Sequence, residues 1–429
     1  MNNESSTING PQMADGHPSS LILHPSSAWG LSLTGLAIVV FSIVAISSPG
    51  RIDVVDGHTR YEVGRSCVEH GDSIVRDPDA WFAAFPGRNG ERYASYRFPQ
   101  SMVAAVAIVI SDLTGPVREI RRHFFFSLSG SVLCAALAVL YACWFHRLGH
   151  GRAASLAWAA GGIFYTPTWF YGTTTFDDVL GSLVLCMAIF SAWVLREHRP
   201  KCAAVVSGLL LGLAFNCKPP LALFLPVAVA ALWDVRRAKH ERWLQARIAF
   251  LCIAAGVIGY QAYDLWKFPP STWQRLAEAR GEYVALWPGN PLAGFLSLLV
   301  SPGMGALWYW PALVVALFGV VAWRRRQRLF AAMTGLSCLA FLTFIGSIRF
   351  FSGEPAWGPR YLTPVFALLW IFVPAGAERL GAPKSAALLA ASLIIQVAGL
   401  SLDTMRFFSG EKESTAGRFL EDAWSYFHF

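Results

Sequence analysis

The chain has 429 residues, of which 55% are hydrophobic and only 14% are charged, and its formal net charge is +8. This charge content is far below that of an ordinary soluble domain. The Lys and Arg residues lie in short clusters between apolar segments, a pattern typical of membrane topology and not of nucleic-acid binding. We therefore predict a multi-pass membrane protein that binds no nucleic acid.

The two ends of the chain are predicted to lie outside the membrane domain. Residues 1–29 are polar and contain no Lys or Arg, so they lack the basic start of a cleaved signal peptide. We interpret them as a disordered tail ahead of a signal anchor. The multi-pass domain is predicted over residues 30–402, and residues 403–429 are expected to form an extracytoplasmic tail.

Apolar runs predict an all-α domain with about 10 or 11 transmembrane helices. The predicted spans are Gly30–Ser47, Phe124–Phe145, Ala153–Tyr165, Asp178–Leu195, Cys202–Phe215, Leu221–Trp233, Ile248–Leu265, Gly305–Trp323, Phe330–Ile348, Tyr361–Ala377 and Ser385–Leu402. Several are shorter than the ~20 residues that a perpendicular helix needs, so we expect tilted, broken or merged helices.

The loops predict the orientation of these spans. Sixteen Lys and Arg residues lie in loops that would share one side of the membrane, at 147–152, 196–201, 236–247, 324–328 and 379–384. Nine lie on the opposite side when the long loop after the first helix is left out. The first side should face the cytoplasm. The segments 48–123, 166–177, 266–304 and 349–360 should then face outward.

The large first outer loop, residues 48–123, begins close to the membrane surface. Small and apolar residues follow a helical spacing from Tyr61 onward, and Gly71 is a natural terminator, so we predict a short interfacial helix over Tyr61 to His70. Asp56 precedes this helix. It is interpreted either as the N-terminal cap or as a general base that takes a proton from an acceptor hydroxyl.

Two further features of this loop allow alternative interpretations. His58 lies beside Asp56, where it is either a proton relay or an ordinary solvated residue. The apolar stretch Met102 to Ile110 is too short to cross the membrane comfortably. We predict that it forms an amphipathic or re-entrant helix packed against the bundle.

Charged residues also lie at the outer ends of later spans. Asp177 and Asp178 begin a transmembrane run, where the helix dipole favours carboxylates; the alternative is a pair that serves the acceptor or a metal. Lys218 is either a snorkelling anchor or a substrate ligand. Arg360, directly before Tyr361, is either an interfacial anchor or a phosphate ligand, because its planar donors can bind two oxygens at once.

Four short strings on the predicted outer face resemble elements of one enzyme group. Asp56 to Tyr61 resembles the Asp-x-x-x-Arg-Tyr opening of the first periplasmic loop in GT-C glycosyltransferases, the membrane enzymes that use polyprenyl-phosphate sugars. Tyr93 to Ser101 resembles an element of bacterial members, with Pro99 where Gly is usual. Ser301 to Pro311 and Trp357 to Pro364 are similar to further recurring elements of the group.

The resemblance implies a GT-C-like fold and the transfer of one sugar, with inversion, from a polyprenyl-phosphate donor to an unknown cell-envelope acceptor. We predict Asp56 as the catalytic base. The candidate substrate-binding residues are Arg60, Tyr61, Asp177, Asp178, Lys218, Arg360 and Tyr361. The acidic residue that usually follows the first Asp is Gly57 here. We therefore predict no metal site and expect Mg²⁺ or Mn²⁺ to be dispensable or weakly bound, unless Asp177 with Asp178 holds one.

Two other classes of protein are considered. A transporter or flippase of a lipid-linked solute usually carries ionisable residues near the midplane and internal repeats, and the sequence shows neither. A non-catalytic membrane scaffold, whose outer loop binds a partner, is the other alternative. The expected location is the inner (cytoplasmic) membrane, with the bilayer and the lipid-linked donor as partners.

Overall fold

The computed structural model describes residues 27–233, 238–272, 291–348 and 356–401, which are mostly helical, with one short antiparallel pair of strands, Ala84–Pro86 and Arg92–Ala94. The α-helices are Ser27–Ser47, Val55–Glu69, Phe98–Leu113, Glu119–Ser127, Ser129–Arg147, Arg152–Phe164, Thr168–Gly172, Asp178–Leu195, Pro200–Cys217, Leu225–Leu232, Lys239–Lys267, Pro291–Val300, Ala306–Tyr309, Leu313–Trp323, Arg328–Gly346, Thr363–Leu369, Val373–Leu380 and Ala382–Leu400. The 3-10 helices are Pro78–Ala83, Pro219–Phe224, Arg360–Leu362 and Trp370–Phe372. The predicted tails lie outside the described residues, except that residues 27–29 begin the first helix.

Within these residues, eight helical segments are long and apolar enough to cross a membrane. They are Ser27–Ser47, Glu119–Arg147, Asp178–Leu195, Pro200–Cys217, Lys239–Lys267, Arg328–Gly346, Arg360–Leu380 and Ala382–Leu400. The other predicted spans fall on the shorter apolar helices Arg152–Phe164, Pro219–Leu232 and Leu313–Trp323. The prediction of an all-α, multi-pass membrane protein is confirmed.

Prolines break some spans, as the short apolar runs predicted. The segment Arg360–Leu380 consists of alternating 3-10 and α-helical pieces. Pro364 and Pro374 each lie at the first or second position of an α-helical piece. Proline has no backbone N–H and cannot continue the hydrogen-bond ladder of the preceding turn. These breaks place Arg360 in a separate 3-10 turn at the N-terminal end of the segment.

Glycines bring some helices into backbone contact. A Cβ on Gly376 would overlap the carbonyl of Val315, and one on Gly319 would overlap the carbonyl of Phe372. Close approach of this kind stabilises helix pairs in lipid, where apolar burial alone gives little preference for a protein neighbour. The helix Leu313–Trp323 is therefore held directly against the last part of the Arg360–Leu380 segment.

Two helices are the longest elements of the first loop. The predicted interfacial helix begins earlier than expected, at Val55, and ends at Glu69, just before Gly71 with its φ of +69°. It packs against the helix Phe98–Leu113, where a Cβ on Gly64 would lie 2.7 Å from the Ser101 carbonyl. The short apolar stretch in the loop is thus a helix packed on its neighbours, as predicted.

A buried arginine ties these loop helices to the bundle. Arg122 is only 4% exposed and begins the long apolar segment that follows the loop. Its guanidinium pairs with Asp112 at 2.7 Å and also with Glu69. Because a buried charge is costly unless it is paired, these contacts fix the orientation of the loop. The loop therefore provides rigid support for the residues at its start.

Candidate active site

Asp56 is the second residue of the helix Val55–Glu69. The cap interpretation is wrong, because the N-cap position is occupied by Val54 and has no side-chain cap hydrogen bond. Asp56 instead accepts a hydrogen bond at Oδ1 from the Tyr96 hydroxyl. Burial and the negative charge of Asp56 raise the pKa of Tyr96, so the hydroxyl stays protonated and donates. In the described part of the chain, no group donates to Oδ2 of Asp56, which leaves this oxygen available.

One turn later, Arg60 connects the loop helix to the segment before the Asp178–Leu195 span. Its Nη2 donates to Oδ2 of Asp177 at 3.1 Å, and its guanidinium lies 4.5 Å from the centre of the Tyr96 ring. Burial alone would raise the pKa of Asp177, but the positive charges of Arg60, Lys218 and Arg360 outweigh it and lower the pKa. Asp177 is therefore an ionised carboxylate held by cations.

The neighbouring Asp178 is completely buried and lies next to two of the same cations, Lys218 and Arg360. Lys218 Nζ donates to Oδ1 of Asp178 and lies 3.6 Å from Oδ1 of Asp177. Arg360 Nε lies 3.8 Å from Oδ2 of Asp178, which is too long for a hydrogen bond. Neither Asp178 Oδ2 nor Arg360 Nε has a hydrogen-bond partner among the described residues. This unfilled contact distinguishes Arg360 from a simple structural ion pair.

Aromatic rings hold the Arg360 guanidinium in place. It lies 4.0 Å from the centre of the Phe176 ring and 5.1 Å from that of Tyr361. Lys218 Nζ lies 5.3 Å from the same Tyr361 ring. Such cation–π contacts orient a guanidinium without using its N–H donors. Since no hydrogen bond within the described residues uses the Nη atoms of Arg360, these donors are open to a ligand.

The carboxylate of Asp56 completes the arrangement, because it interacts electrostatically with both the Arg60 and Arg360 guanidinium groups. Residues from separate parts of the sequence therefore meet at the end of the bundle that the basic loops predict to be the outer one. We call this set the outer charge cluster; it consists of Asp56, Asp177, Asp178, Arg60, Lys218 and Arg360. Its formal charges balance, with three carboxylates and three cations.

Gly57 has a steric role that the sequence did not reveal. A Cβ at this position would overlap Oγ1 of Thr175 and lie 2.9 Å from Ile52. Thr175 is fixed, because its N–H and its hydroxyl both donate to Oδ1 of Asp53 at 2.9 Å. An acidic side chain next to Asp56 would therefore collide with this buried contact.

The carboxylates of the outer charge cluster are arranged as partners of cations. The pair Asp177 and Asp178, the alternative metal site, contacts Arg60, Lys218 and Arg360. Within the described ranges, no group of three or more His, Cys, Asp or Glu side chains is placed to hold a metal ion. The prediction that Mg²⁺ or Mn²⁺ is dispensable remains a prediction.

Two residues proposed from the sequence lie elsewhere. The Tyr61 side chain points away from the outer charge cluster, and its hydroxyl donates to Oε1 of Glu119 at 2.6 Å. His58 packs edge-on against His123, with ring centres 6.0 Å apart. Tyr61 therefore supports the loop, and its assignment to substrate binding is not supported by its position. His58 likewise faces a different group of side chains from Asp56.

Tyr96 and Phe176 are the contacts that sequence reasoning missed. Tyr96 belongs to the string that resembled the enzyme group, but only the fold shows that it binds Asp56, 40 positions earlier. Phe176 directly precedes the two aspartates, and its neutral ring gave no charge signal. A search for aromatic residues next to the charged positions would have selected both, together with many core residues.

The spans and the loop helices define a class: the chain is an all-α, multi-pass membrane protein, and its fold is GT-C-like. Residues 118–263, about a third of the chain, match the family model described as dolichyl-phosphate-mannose-protein mannosyltransferase. The predicted resemblance to this enzyme group is confirmed. No curated protein sequence matches the chain.

Solved structures show the same fold. ArnT from Cupriavidus metallidurans bound to undecaprenyl phosphate is 15% identical, with a TM-score of 0.56; the match covers 94% of this chain and 69% of ArnT. The apo form of that protein is 19% identical, with a TM-score of 0.51 and coverage of 87% and 63%. The chain thus spans about two thirds of the length of ArnT.

Proposed function

We propose that the chain transfers a sugar from a polyprenyl-phosphate donor to an acceptor hydroxyl at the outer face of the inner membrane. The observation that carries this proposal is the outer charge cluster, in which a carboxylate with a free oxygen lies beside a guanidinium with unused N–H donors. The family match and the fold agree with it, and the ArnT structure contains a polyprenyl phosphate.

The donor phosphate would bind at Arg360 and Lys218. The leaving group of such a donor is a phosphate, so the reaction needs positive charge at the departing oxygen more than it needs a proton donor. The two Nη atoms of Arg360 match two phosphate oxygens, and its ring contacts with Phe176 and Tyr361 hold that geometry. Lys218 adds a second positive charge, since its Nζ lies 5.3 Å from the centre of the same Tyr361 ring.

The acceptor hydroxyl would lie at Asp56. As its oxygen attacks the anomeric carbon, Oδ2 of Asp56 takes the hydroxyl proton. The bond from the anomeric carbon to the phosphate oxygen breaks, and its electron pair leaves with the polyprenyl phosphate. One in-line displacement of this kind inverts the anomeric configuration. Tyr96 holds Oδ1 meanwhile and keeps the carboxylate from rotating.

The ion pairs of the outer charge cluster would remain in place when the donor binds. In the described structure Asp178 pairs with Lys218 and lies near Arg360, so the cations are neutralised while no phosphate is bound. A phosphate at the open Nη donors of Arg360 adds negative charge without breaking the Lys218–Asp178 contact. The buried aspartate therefore keeps the cations in place between reaction cycles.

The direct test is a transfer assay with purified protein in lipid nanodiscs. Undecaprenyl-phosphate sugars with a labelled sugar would be the donors, and an envelope lipid extract would supply acceptors. We expect labelled product from the native chain. We also expect about 10²-fold less from the Asp56→Asn variant, because this change removes the base while retaining an oxygen for Tyr96. Binding of undecaprenyl phosphate should be the same in both proteins.

Two results would count against the proposal. An Asp56→Asn variant with undiminished transfer would show that the base lies elsewhere. A native chain that binds no undecaprenyl phosphate in the same nanodiscs would remove the donor class itself. Binding and transfer are measured separately. Binding without transfer would indicate an unsuitable sugar or acceptor, whereas absence of binding would indicate a wrong donor class.

A further inference from the structure

A cavity lies at the end of the bundle opposite to the outer charge cluster. Its volume is about 440 Å³, which is within the range of small-molecule sites. The chemically distinctive lining residues are Arg147, His150, Trp193, Trp323, Arg326 and Glu378. They come from the ends of several spans and from the loops that join them.

The two sites share helices but not residues. The helix Asp178–Leu195 begins in the outer charge cluster and carries Trp193 near its other end. At 1.5 Å per residue, its 18 residues extend roughly 27 Å. The segment Arg360–Leu380 likewise begins at the outer site and carries Glu378 near its end. The cavity is therefore separate from the outer charge cluster and lies across the membrane domain from it.

The walls of this cavity are aromatic. The rings of Trp193 and Trp323 lie 6.5 Å apart at an angle of 52°. Trp323 is 7% exposed and packs against Phe372 at 4.9 Å between ring centres, so it is held firmly. Indole faces favour the apolar side of a sugar ring or of a lipid glycerol and chain. The wall thus suits a ligand that is not purely ionic.

The rim of the cavity is cationic. Arg147 and Arg326 contribute two positive charges, and Glu378 contributes one negative charge. Glu378 and Arg326 line the same cavity as His150, and the charges of both act electrostatically on the His150 ring. Guanidinium groups at the rim of one cavity suit a phosphate, because their planar donors can bind two of its oxygens at once. An aromatic wall beside a cationic rim matches a ligand with a phosphate and a less polar body.

Topology alone does not explain this arrangement. Arg324, Arg325 and Arg326 form one basic run, and any of them would serve to orient the membrane spans. All three are exposed, yet only Arg326 lines the cavity. The other two provide matched controls, with the same chemistry and the same loop.

We propose that this cavity binds the phosphate group of an anionic ligand, with the two tryptophans against the ligand's less polar part. Two sources share this chemistry, namely the headgroup of an anionic membrane lipid and a soluble phosphate ester. This site does not depend on the proposed transferase activity, because it contains none of the outer charge cluster.

The experiment compares three variants of the full chain with the native protein. Arg326→Gln removes a cavity charge, and Arg325→Gln removes an equivalent charge outside the cavity. Ala375→Phe keeps every charge but fills the cavity, since Ala375 also lines it. Thermal unfolding in neutral detergent first establishes that the variants fold. The probes are phosphatidylglycerol, counted as bound molecules by native mass spectrometry, and glucose 6-phosphate, measured by equilibrium dialysis.

We expect the native protein and Arg325→Gln to bind at least one probe equally well. Arg326→Gln should bind it about tenfold less, the loss expected for a charge-assisted hydrogen bond. Ala375→Phe should bind it at least as weakly, because the larger side chain occupies the cavity. Loss of phosphatidylglycerol adducts alone would identify a lipid headgroup, and loss of glucose 6-phosphate binding would identify a soluble ester. Equal losses in both arginine variants, unchanged binding in Ala375→Phe, or no binding of either probe to the native protein would overturn the proposal.

Discussion

The hydroxyl of Tyr96 donates a hydrogen bond to Oδ1 of Asp56, and the guanidinium of Arg60 lies over the same tyrosine ring, 4.5 Å from its centre. Tyr96 therefore touches a carboxylate through its hydroxyl and a cation through its ring. It is itself mostly buried in the first loop, so it fixes the relative position of two charges one helical turn apart. In the proposed reaction it is a positioning residue for the base.

Tyr96→Phe keeps the ring under Arg60 and removes only the hydroxyl. We expect turnover to fall about tenfold, because the lost hydrogen bond to a charged group contributes on the order of 1–2 kcal/mol. The KM for the donor should stay unchanged, since the phosphate ligands are not affected. Steady-state kinetics of the transfer reaction would give both constants.

Tyr93→Phe is the matched control, because Tyr93 lies in the same loop but contacts Trp266 and Phe268 instead of Asp56. A general loosening of the loop would lower turnover in both variants. If both lose turnover equally, or if Tyr96→Phe changes only the KM, the positioning role is wrong.

Arg360→Lys should separate charge from geometry. Lysine keeps the positive charge but cannot bind two phosphate oxygens in one plane. We expect the KM for the polyprenyl-phosphate donor to rise about tenfold, with part of the turnover retained. Arg88→Lys is the control, since Arg88 is also on the predicted outer side and donates to the Leu265 carbonyl. An Arg360→Lys variant with native donor kinetics would assign Arg360 to simple interfacial anchoring.

The orientation of the spans can be tested by cysteine labelling. In a cysteine-free background, Asn89→Cys should react with an impermeant maleimide added to intact cells, and Arg325→Cys should react only after the cells are opened. Both positions are exposed in the structure, so burial does not protect either. The reason for the expectation is the excess of basic residues on one side. The reverse labelling pattern would place the outer charge cluster in the cytoplasm.

The sequence predicted most of the charged residues of the site, since charges are conspicuous beside apolar spans. Asp56, Asp177, Asp178, Lys218 and Arg360 were selected in this way, and the structure brings them together. Their pairing depends on how distant segments pack, which no local pattern contains. Tyr96 and Phe176 were missed for the same reason, because their roles depend entirely on their neighbours.

Local patterns also placed the spans well but misjudged where the loop helix begins. The helical spacing was recognised from Tyr61, whereas the helix starts at Val55. Its first turn contains Asp56, Gly57 and His58, which are poor helix formers by propensity. Packing of Gly57 against Thr175 and the Tyr96–Asp56 hydrogen bond stabilise this turn instead. The helix is therefore longer than the local sequence pattern predicted, because tertiary contacts stabilise its first turn. Asp56, one candidate for the N-terminal cap, lies inside this turn.

The stability of the first loop should depend on pH through Asp53. Burial raises the pKa of this carboxyl from 3.8 to about 6, although Thr175 donates to it. The folded chain therefore holds the proton more tightly than the unfolded chain does. The protonated Asp53 carboxyl therefore adds to the free energy of unfolding. This contribution is largest below about pH 4 and is lost as the pH rises to about 6, a change of about 3 kcal/mol in the free energy of unfolding.

Asp53→Asn removes this titration and keeps the oxygen that Thr175 contacts. We compare the thermal unfolding midpoints of the variant and the native chain. The difference, variant minus native, should increase between pH 4 and pH 6.5, because only the native chain loses stability from Asp53, and it should then level off. Unfolding curves in detergent at matched ionic strength would measure it. A constant difference between the two proteins across this range would show that Asp53 titrates normally.

The last prediction concerns Gly57 and the metal. The Gly57→Asp variant places an acidic residue directly after Asp56. This change should neither create a metal dependence nor raise transfer, because the new side chain would collide with Thr175 and Ile52. Overpacking of this kind costs about 1–3 kcal/mol, so we expect a lower unfolding midpoint. Gly57→Ala places a Cβ in the same space without a charge, and it should lose a similar amount. Transfer by the native chain should survive chelation with EDTA, since its aspartates are paired with cations. Two results would contradict the prediction. One is a loss of native activity on chelation that Mg²⁺ or Mn²⁺ restores, and the other is a Gly57→Asp variant that either ion stabilises. In either case, Asp177 and Asp178 would be the first residues to replace.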